Sequence, residues 1–309
     1  MAMLYVARGE ALLRYSLGQS HPMNKRRIEA FYRSLDESGV QYTVFEPVMA
    51  SVEEIALFHD ADYIRFVQLM SERGRGYLDY GDTPAYPGVF EASSYVVGTT
   101  LGLVRRVLRG GCRGFNPMGG LHHAMRSRAG GFCVFNDAAI ATEYLLRREG
   151  LRAVAYVDID AHHGDGMYYE FEDDPRVIFL DIHQDGATLY PGTGFRHERG
   201  LGEALGKKLN IPLPPGAGDA EFKEAFDEGL RFLEAESFDF ILFQCGADGL
   251  SGDPLTALEY SEEAHRYASR ALRRLAEEKC MGRIVAMGGG GYNLENVSKA
   301  WIEVVKALS

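Results

Sequence analysis

The stretch "AVAYVDIDAHHGDG", residues 153–166, decides the fold because its character changes at a single position. Ala153–Val157 is a short apolar, β-branched run of the kind that forms a strand buried on both faces. From Asp158 to Gly166 the chain then packs three aspartates and two histidines into nine residues. Three further runs make the same transition. Val177–Leu180 leads into Asp181 and His183, Phe240–Phe243 into Cys245, Gly246 and Asp248, and Ile284–Met287 into four glycines and Tyr292. Helical patterns flank them over Asp137–Glu149, Ala220–Ala235, Ser261–Lys279 and Leu294–Leu308. Apolar strands alternating with helices predict an α/β fold with a parallel sheet and helices on both faces. Ligands in such folds bind beyond the carboxyl ends of the strands. All four runs place their polar residues at that end, which predicts one site in a single domain over residues 1–309.

The bulk properties agree with an ordinary globular enzyme-sized chain, 46% hydrophobic and 25% charged. A net charge of −11 argues against nucleic acid or an anionic membrane as partner, because phosphate neutralisation needs the opposite sign. Arg105, Arg106, Arg109, Arg270, Arg273 and Arg274 fall at helical spacing and are expected on solvated helix faces. Cys112, Cys133, Cys245 and Cys280 show no framework spacing and suit a reducing cytoplasm. The amino terminus is too charged for a secretory leader, and no apolar run is long enough to span a bilayer. Cytoplasmic localisation is the expectation. Arg73–Gly88, rich in Gly, Tyr and Asp, reads as a long surface loop of the sort that rims a site.

Within the polar cluster, alternation along an extended strand would turn Asp158, Asp160 and His162 to one face. Carboxylate and imidazole together suggest a divalent metal, and Asp248 is the best-placed third ligand. Asp160, His162 and Asp248 would leave a coordination position open for water, as catalytic sites do. The bland alternative is that Asp158 or Asp165 caps the following helix. His122 and His123, in "GGLHHAMRSRAGGFC" (119–133), are further ligands, general bases or polar surface. If they are bases, Asp158 and Asp165 are natural partners to orient them. Tyr292 follows a glycine run that lets backbone pass close to a ligand, and its hydroxyl can donate to an oxyanion.

With these residues in place, the sequence resembles the histone deacetylase family of the arginase/deacetylase fold. The resemblance runs from "GQSHPMNKRRI" (18–28) to "GGGGYNLENVSKAW" (288–301), through "GGLHHAMRSRAGGFCVFND", "YVDIDAHHGDG", "YPGTG" and "QCGADGLSGDPL" in family order. Its wording is nearest to class I and prokaryotic acetoin-utilisation deacetylases. The resemblance implies an eight-stranded sheet and a zinc-dependent amidohydrolase that removes acetyl groups from acetyl-lysine in proteins or peptides, releasing acetate. Acetylpolyamines or small acetylated amines are the alternative substrates, and a non-catalytic acyl-amine binding protein is the more distant one. By similarity Asp160, His162 and Asp248 hold one Zn²⁺, with Fe²⁺, Co²⁺ or Mn²⁺ as substitutes. His122 with Asp158 and His123 with Asp165 form the catalytic pairs, and Tyr292 polarises the acetyl carbonyl. Phe132 and Tyr190 wall the acyl-lysine tunnel, where the family usually has Phe at the second position. Gly131 and Gly290 complete the substrate-binding set. Asp82 matches the rim aspartate that holds substrate amides, and Arg27 the arginine of an inner acetate channel.

Two departures sharpen this reading. A two-manganese ureohydrolase shares the "DAH" string, but Gly164 and Leu250 stand where such enzymes carry bridging aspartates, so a single metal is expected. Asp181 replaces a serine that in many relatives helps hold a monovalent cation, K⁺ or Na⁺, near Asp158.

Overall fold

The computed structural model describes residues 3–309. Eight strands, β1 (Met3–Ala7), β2 (Thr43–Phe45), β3 (Cys112–Asn116), β4 (Val154–Asp158), β5 (Val177–Gln184), β6 (Lys208–Leu213), β7 (Ile241–Gln244) and β8 (Ile284–Met287), form one sheet. Its order is β2-β1-β3-β8-β7-β4-β5-β6, and every pairing is parallel. The chain runs outward from β1 to β2 on one side and crosses back to β3, then runs outward from β4 through β5 to β6 on the other and returns through β7 and β8. The crevice above β3, β8, β7 and β4 is therefore where the winding reverses, the place such sheets reserve for ligands.

β4, β5, β7 and β8 coincide with the four apolar runs and are buried along their whole length. The other four strands carry weaker signals. β3 contains Arg113 and Gly114, and β2 is a three-residue edge. β6 holds Pro212, which edge strands tolerate because one row of their N–H groups has no partner to lose. β4 ends at Asp158, so strand alternation does not reach His162; Asp160 and His162 lie in the loop beyond. The expected helices stand at Asp219–Ala235, Glu262–Lys279 and Leu294–Leu308, while the first runs Asp137–Glu143 and continues as a π-helix over Tyr144–Arg148.

Trp301 shows how packing reaches the site. Its ring meets Phe31 and Phe115 edge-on at 5.6 and 6.0 Å, and its indole N–H lies 3.1 Å from the carbonyls of Cys245 and Gly288. Full burial of such a ring stabilises by about 1.5–3 kcal/mol. The same contact ties Leu294–Leu308 to the ends of β7 and β8. Among the described residues no helix is long and apolar enough to cross a membrane.

Candidate active site

Neighbouring strands deliver the site residues from their carboxyl ends: the loop after β3 carries His122 and His123, β4 ends in Asp158 and leads on to Asp160, His162 and Asp165, and Asp248 follows β7 and Tyr292 β8. Nδ1 of His162 lies 3.1 Å from Oδ1 of Asp160 and 3.0 Å from Oδ2 of Asp248. Donor atoms of these three buried residues all fall within 4.8 Å of one another. The remaining oxygens are occupied. Oδ2 of Asp160 accepts from Gln244 Nε2 and from the Gly290 N–H, both at 2.7 Å, and Oδ1 of Asp248 accepts the Ala161 N–H at 2.9 Å. Gly290 has to be glycine here, since a Cβ would stand 2.3 Å from Oδ2 of Asp248.

Among the described residues neither carboxylate pairs with a lysine or arginine. Burial, followed by the charge of Asp160, pushes the Asp248 carboxyl up to about 7. Burial opposes the charge on Asp160 too, but His122 and His162 outweigh it and hold that carboxyl well below the usual range. For His162, hydrogen bonds to Asp160 and Asp248 overcome burial and raise the imidazole to about 10. The three groups thus compete for positive charge. Two oxygen donors and one nitrogen, converging and lacking a fixed cation, fit a divalent ion such as zinc.

Neither Asp158 nor Asp165 caps a helix through its side chain. Nδ1 of His122 lies 2.8 Å from Oδ2 of Asp158, and Nδ1 of His123 lies 2.7 Å from Oδ1 of Asp165. The two Nε2 atoms face each other at 3.1 Å. With both Nδ1–H groups donating to carboxylates, the two Nε2 lone pairs share the space for one proton. Burial, then the neighbouring His122, lowers the His123 pKa against the pull of Asp165. Burial and the charges of Asp181 and Asp160 raise Asp158, whose Oδ2 also accepts the Tyr156 hydroxyl at 2.5 Å.

The turn bearing both histidines is held by residues to which sequence reasoning gave no role. Asp137 accepts the N–H groups of Gly120 and Leu121 at 3.0 and 2.9 Å and the Thr100 hydroxyl at 2.6 Å. Asn136 donates to the carbonyls of His122 and Ala124 while capping its own helix. Both lie in "GFCVFND", and Gln244 opens "QCGADG"; their presence in these blocks was the available signal.

Above the histidines opens a cavity of about 480 Å³, lined in part by Asp79, Asp82, His123, Gly131, Asp165 and Tyr190. Tyr190 packs edge-on to His123 at 5.1 Å; Phe132 packs on Tyr292 at 5.8 Å and on His21 at 4.6 Å. Phe132 adopts φ +68°, uncommon for a bulky side chain, and its backbone is clamped by Thr83 Oγ1 and the Tyr15 hydroxyl. Gly131 again admits no side chain, because a Cβ would lie 2.3 Å from Cδ2 of His123. The 73–88 segment is the expected surface loop, and Asp82 sits there exposed. Asp79 orders that turn by accepting the N–H groups of Gly81, Asp82 and Thr83 at 3.0–3.1 Å. Partial shielding of its carboxyl from water, then Asp79, pushes Asp82 up to about 6. Arg27 lies deeper, buried, donating to the carbonyls of Gly291 and Gly289 at 2.5 and 2.6 Å with its guanidinium over the Tyr292 ring.

Asp181 does not stand free. Its Oδ1 lies 2.7 Å from Nδ1 of His183 and its Oδ2 accepts the Gly164 N–H at 2.8 Å. Nε2 of His183 faces the Gly194 carbonyl at 2.9 Å, so both ring nitrogens meet acceptors. Burial opposes charge on this ring, but Asp181 overcomes it and raises the pKa.

Comparison with known proteins agrees with this fold. The family profile described as "Histone deacetylase domain" matches residues 21–308. The chain is 38% identical over 305 residues to the acetoin utilization protein AcuC of Bacillus subtilis (strain 168), covering 94% of this chain and 78% of that protein. It is 35% identical over 295 residues to a probable deacetylase of Archaeoglobus fulgidus, covering 93% and 80%. Among solved structures, the HDA15 HD domain superposes with a TM-score of 0.90 at 27% identity, over all of this chain and 90% of the other. An HDAC homolog complexed with SAHA superposes at 0.85 with 31% identity, over all of this chain and 84% of the other. The chain belongs to the histone deacetylase family, metal-dependent hydrolases that act on amide bonds.

Proposed function

We propose that residues 1–309 form one catalytic domain that hydrolyses the acetamide of acetyl-lysine in peptides or proteins, giving the free amine and acetate. The observation that carries this reading is the Asp160, His162 and Asp248 cluster set beside two histidine–carboxylate pairs, one of which, His123 with Asp165, lines a cavity together with Tyr190. In this proposal Asp160, His162 and Asp248 hold one zinc. Such an ion, when bound, supplies Lewis acidity toward the acetyl carbonyl and lowers the pKa of water. Fe²⁺, Co²⁺ or Mn²⁺ would suit the same donors.

The chain's own groups do the rest. The His122–His123 pair, each Nδ1 fixed by Asp158 or Asp165, takes the proton of the attacking water at Nε2 and returns one to the departing amine. The Tyr292 hydroxyl donates to the oxygen of the tetrahedral intermediate. Phe132 and Tyr190 enclose the unbranched alkyl chain and exclude water, while Gly131 leaves room beside His123. Asp82 accepts backbone N–H groups flanking the lysine. Arg27 offers a buried positive charge to the departing acetate. A monovalent K⁺ or Na⁺ near Asp158 and Asp181 belongs to the same proposal, as does a cytoplasmic setting, supported by four free, buried cysteines. Anomalous scattering after Rb⁺ exchange would test the cation.

Acetylpolyamines are the second reading, favoured by the acidic rim of Asp79 and Asp82 and the net charge of −11. A panel of acetyl-lysine peptides, acetylpolyamines and acetylated monoamines, scored by kcat/KM on metal-loaded protein, separates the two. Peptides should lead. Acetate release from none of them would overturn the assignment.

A further inference from the structure

Tyr292 follows Gly288–Gly291, a stretch with no side chains to pack and with Gly289 and Gly291 at φ +66° and +113°. With no side chains of its own to anchor it, this backbone is placed by close packing and by hydrogen bonds to its polar groups, which together decide where the tyrosine points. Arg27 holds the carbonyls of Gly289 and Gly291, and the Ala247 N–H holds the Gly290 carbonyl at 3.0 Å. The N–H of Tyr292 itself goes to Asp253, whose Oδ2 accepts it at 2.7 Å and the Asn293 N–H at 3.3 Å. Oδ1 of Asp253 accepts the Leu255 N–H at 3.0 Å. Asp253 is buried, and among the described residues no lysine or arginine forms an ion pair with it. A carboxylate in that setting is costly unless its hydrogen bonds are needed. The clasp is reinforced from the helix side, where the Asn293 and Asn296 amides donate to the carbonyls of Gly252 and Ser251 at 3.2 and 3.0 Å. One short segment thus begins at Asp248 and ends at Asp253.

We infer that Asp253 is the positioning residue for Tyr292. It fixes the tyrosine backbone relative to Asp248 and so aims the phenolic hydroxyl at the reacting carbonyl, without touching substrate. The inference rests on the role of Tyr292 proposed above. A displacement of about 1 Å at a reacting group can cost roughly a hundredfold in rate.

The test is a double-mutant cycle on metal-loaded protein with an acetyl-lysine peptide, together with amide exchange of the 288–293 segment. Asp253→Ala should lower kcat by about ten- to a hundredfold, within the whole contribution of one oxyanion donor, with KM and bound metal little changed. Exchange at the Tyr292 amide should quicken. In a Tyr292→Phe background the same substitution should cost less than about twofold, because no hydroxyl remains to misplace. Asp253→Asn keeps one acceptor oxygen and should recover part of the loss; it also decides the matter if the alanine variant does not fold. Losses that multiply fully in the Phe background, or an unchanged kcat in both Asp253 variants, would overturn the inference. If Tyr292→Phe itself turns over normally, the catalytic reading fails and this inference goes with it.

Discussion

At the floor of the site each acting side chain is held from a second side, whereas at the mouth Asp82 depends on its own turn. Asp160 is gripped by Gln244 and Gly290, His122 by Asp158, and the histidine turn by Asp137. All of these are buried between strand ends. Asp82 is exposed, and beyond the Asp79 turn its backbone carbonyl is tied only to Nε2 of His21, at 3.1 Å. The contrast separates chemistry from selection. Buried polar groups are costly to disturb, so the floor admits few alternatives; an exposed loop can change composition with little effect on stability. On the proposed reading, reaction type is therefore written into the floor and substrate preference into the mouth.

The strongest break should come at the floor. Asp248→Ala removes a proposed ligand and the Ala161 anchor, leaving Asp160 and His162 without their partner. Turnover should fall by at least about a thousandfold, since several kcal/mol of transition-state stabilisation depend on the ion. The metal content of the purified variant should fall with it; full occupancy by mass spectrometry together with normal activity would break the floor assignment.

Tyr292→Phe comes next. Losing one oxyanion donor costs about 3–4 kcal/mol, roughly a hundredfold to a thousandfold in kcat, with metal retained. Near-normal kcat in the folded variant would remove the hydroxyl from the mechanism.

At the mouth, effects should be smaller and confined to KM. Asp82→Ala should raise KM for acetyl-lysine peptides by about tenfold, the worth of one charge-assisted hydrogen bond, and leave acetylated monoamines nearly unchanged. Equal effects on both substrates would show that Asp82 does not contact peptide amides. Salt sharpens the same comparison, because amide recognition should be nearly insensitive to it while attraction of a polyamine weakens with screening.

The subtlest prediction is a pH effect. Partial shielding from water and then Asp79 place the Asp82 carboxyl at about 6, above an ordinary aspartate. Below that pH it is protonated and a poorer acceptor, so peptide KM should rise as pH falls through about 6. Asp79→Asn removes a neighbouring negative charge, which should move the rise to lower pH. A KM profile that keeps its position in the variant would show that Asp79 does not set the titration of Asp82.

Much of the floor was legible because its residues sit in short runs after strongly apolar strands. Asp160, His162 and Asp248 stand out by residue type, and the four buried strands by composition. The strands β1, β2, β3 and β6 were not legible, since they are short or carry Arg, Gly, Lys or Pro. Strand periodicity was also the wrong warrant for His162, which reaches the cluster from a loop.

By itself the sequence determined the α/β class, the residues of the candidate metal cluster and the family, because these rest on local composition and ordered motifs. Only the tertiary structure decided which partners hold them. That Asp137 steadies the histidine turn, that Asp181 is engaged by His183, and that Asp253 grips Tyr292 are contacts across 16, 2 and 39 positions of chain. Even the nearest of the three needed coordinates. Hydrogen bonds depend on distance and direction within a few tenths of an ångström, and one-dimensional spacing carries neither once the chain has turned.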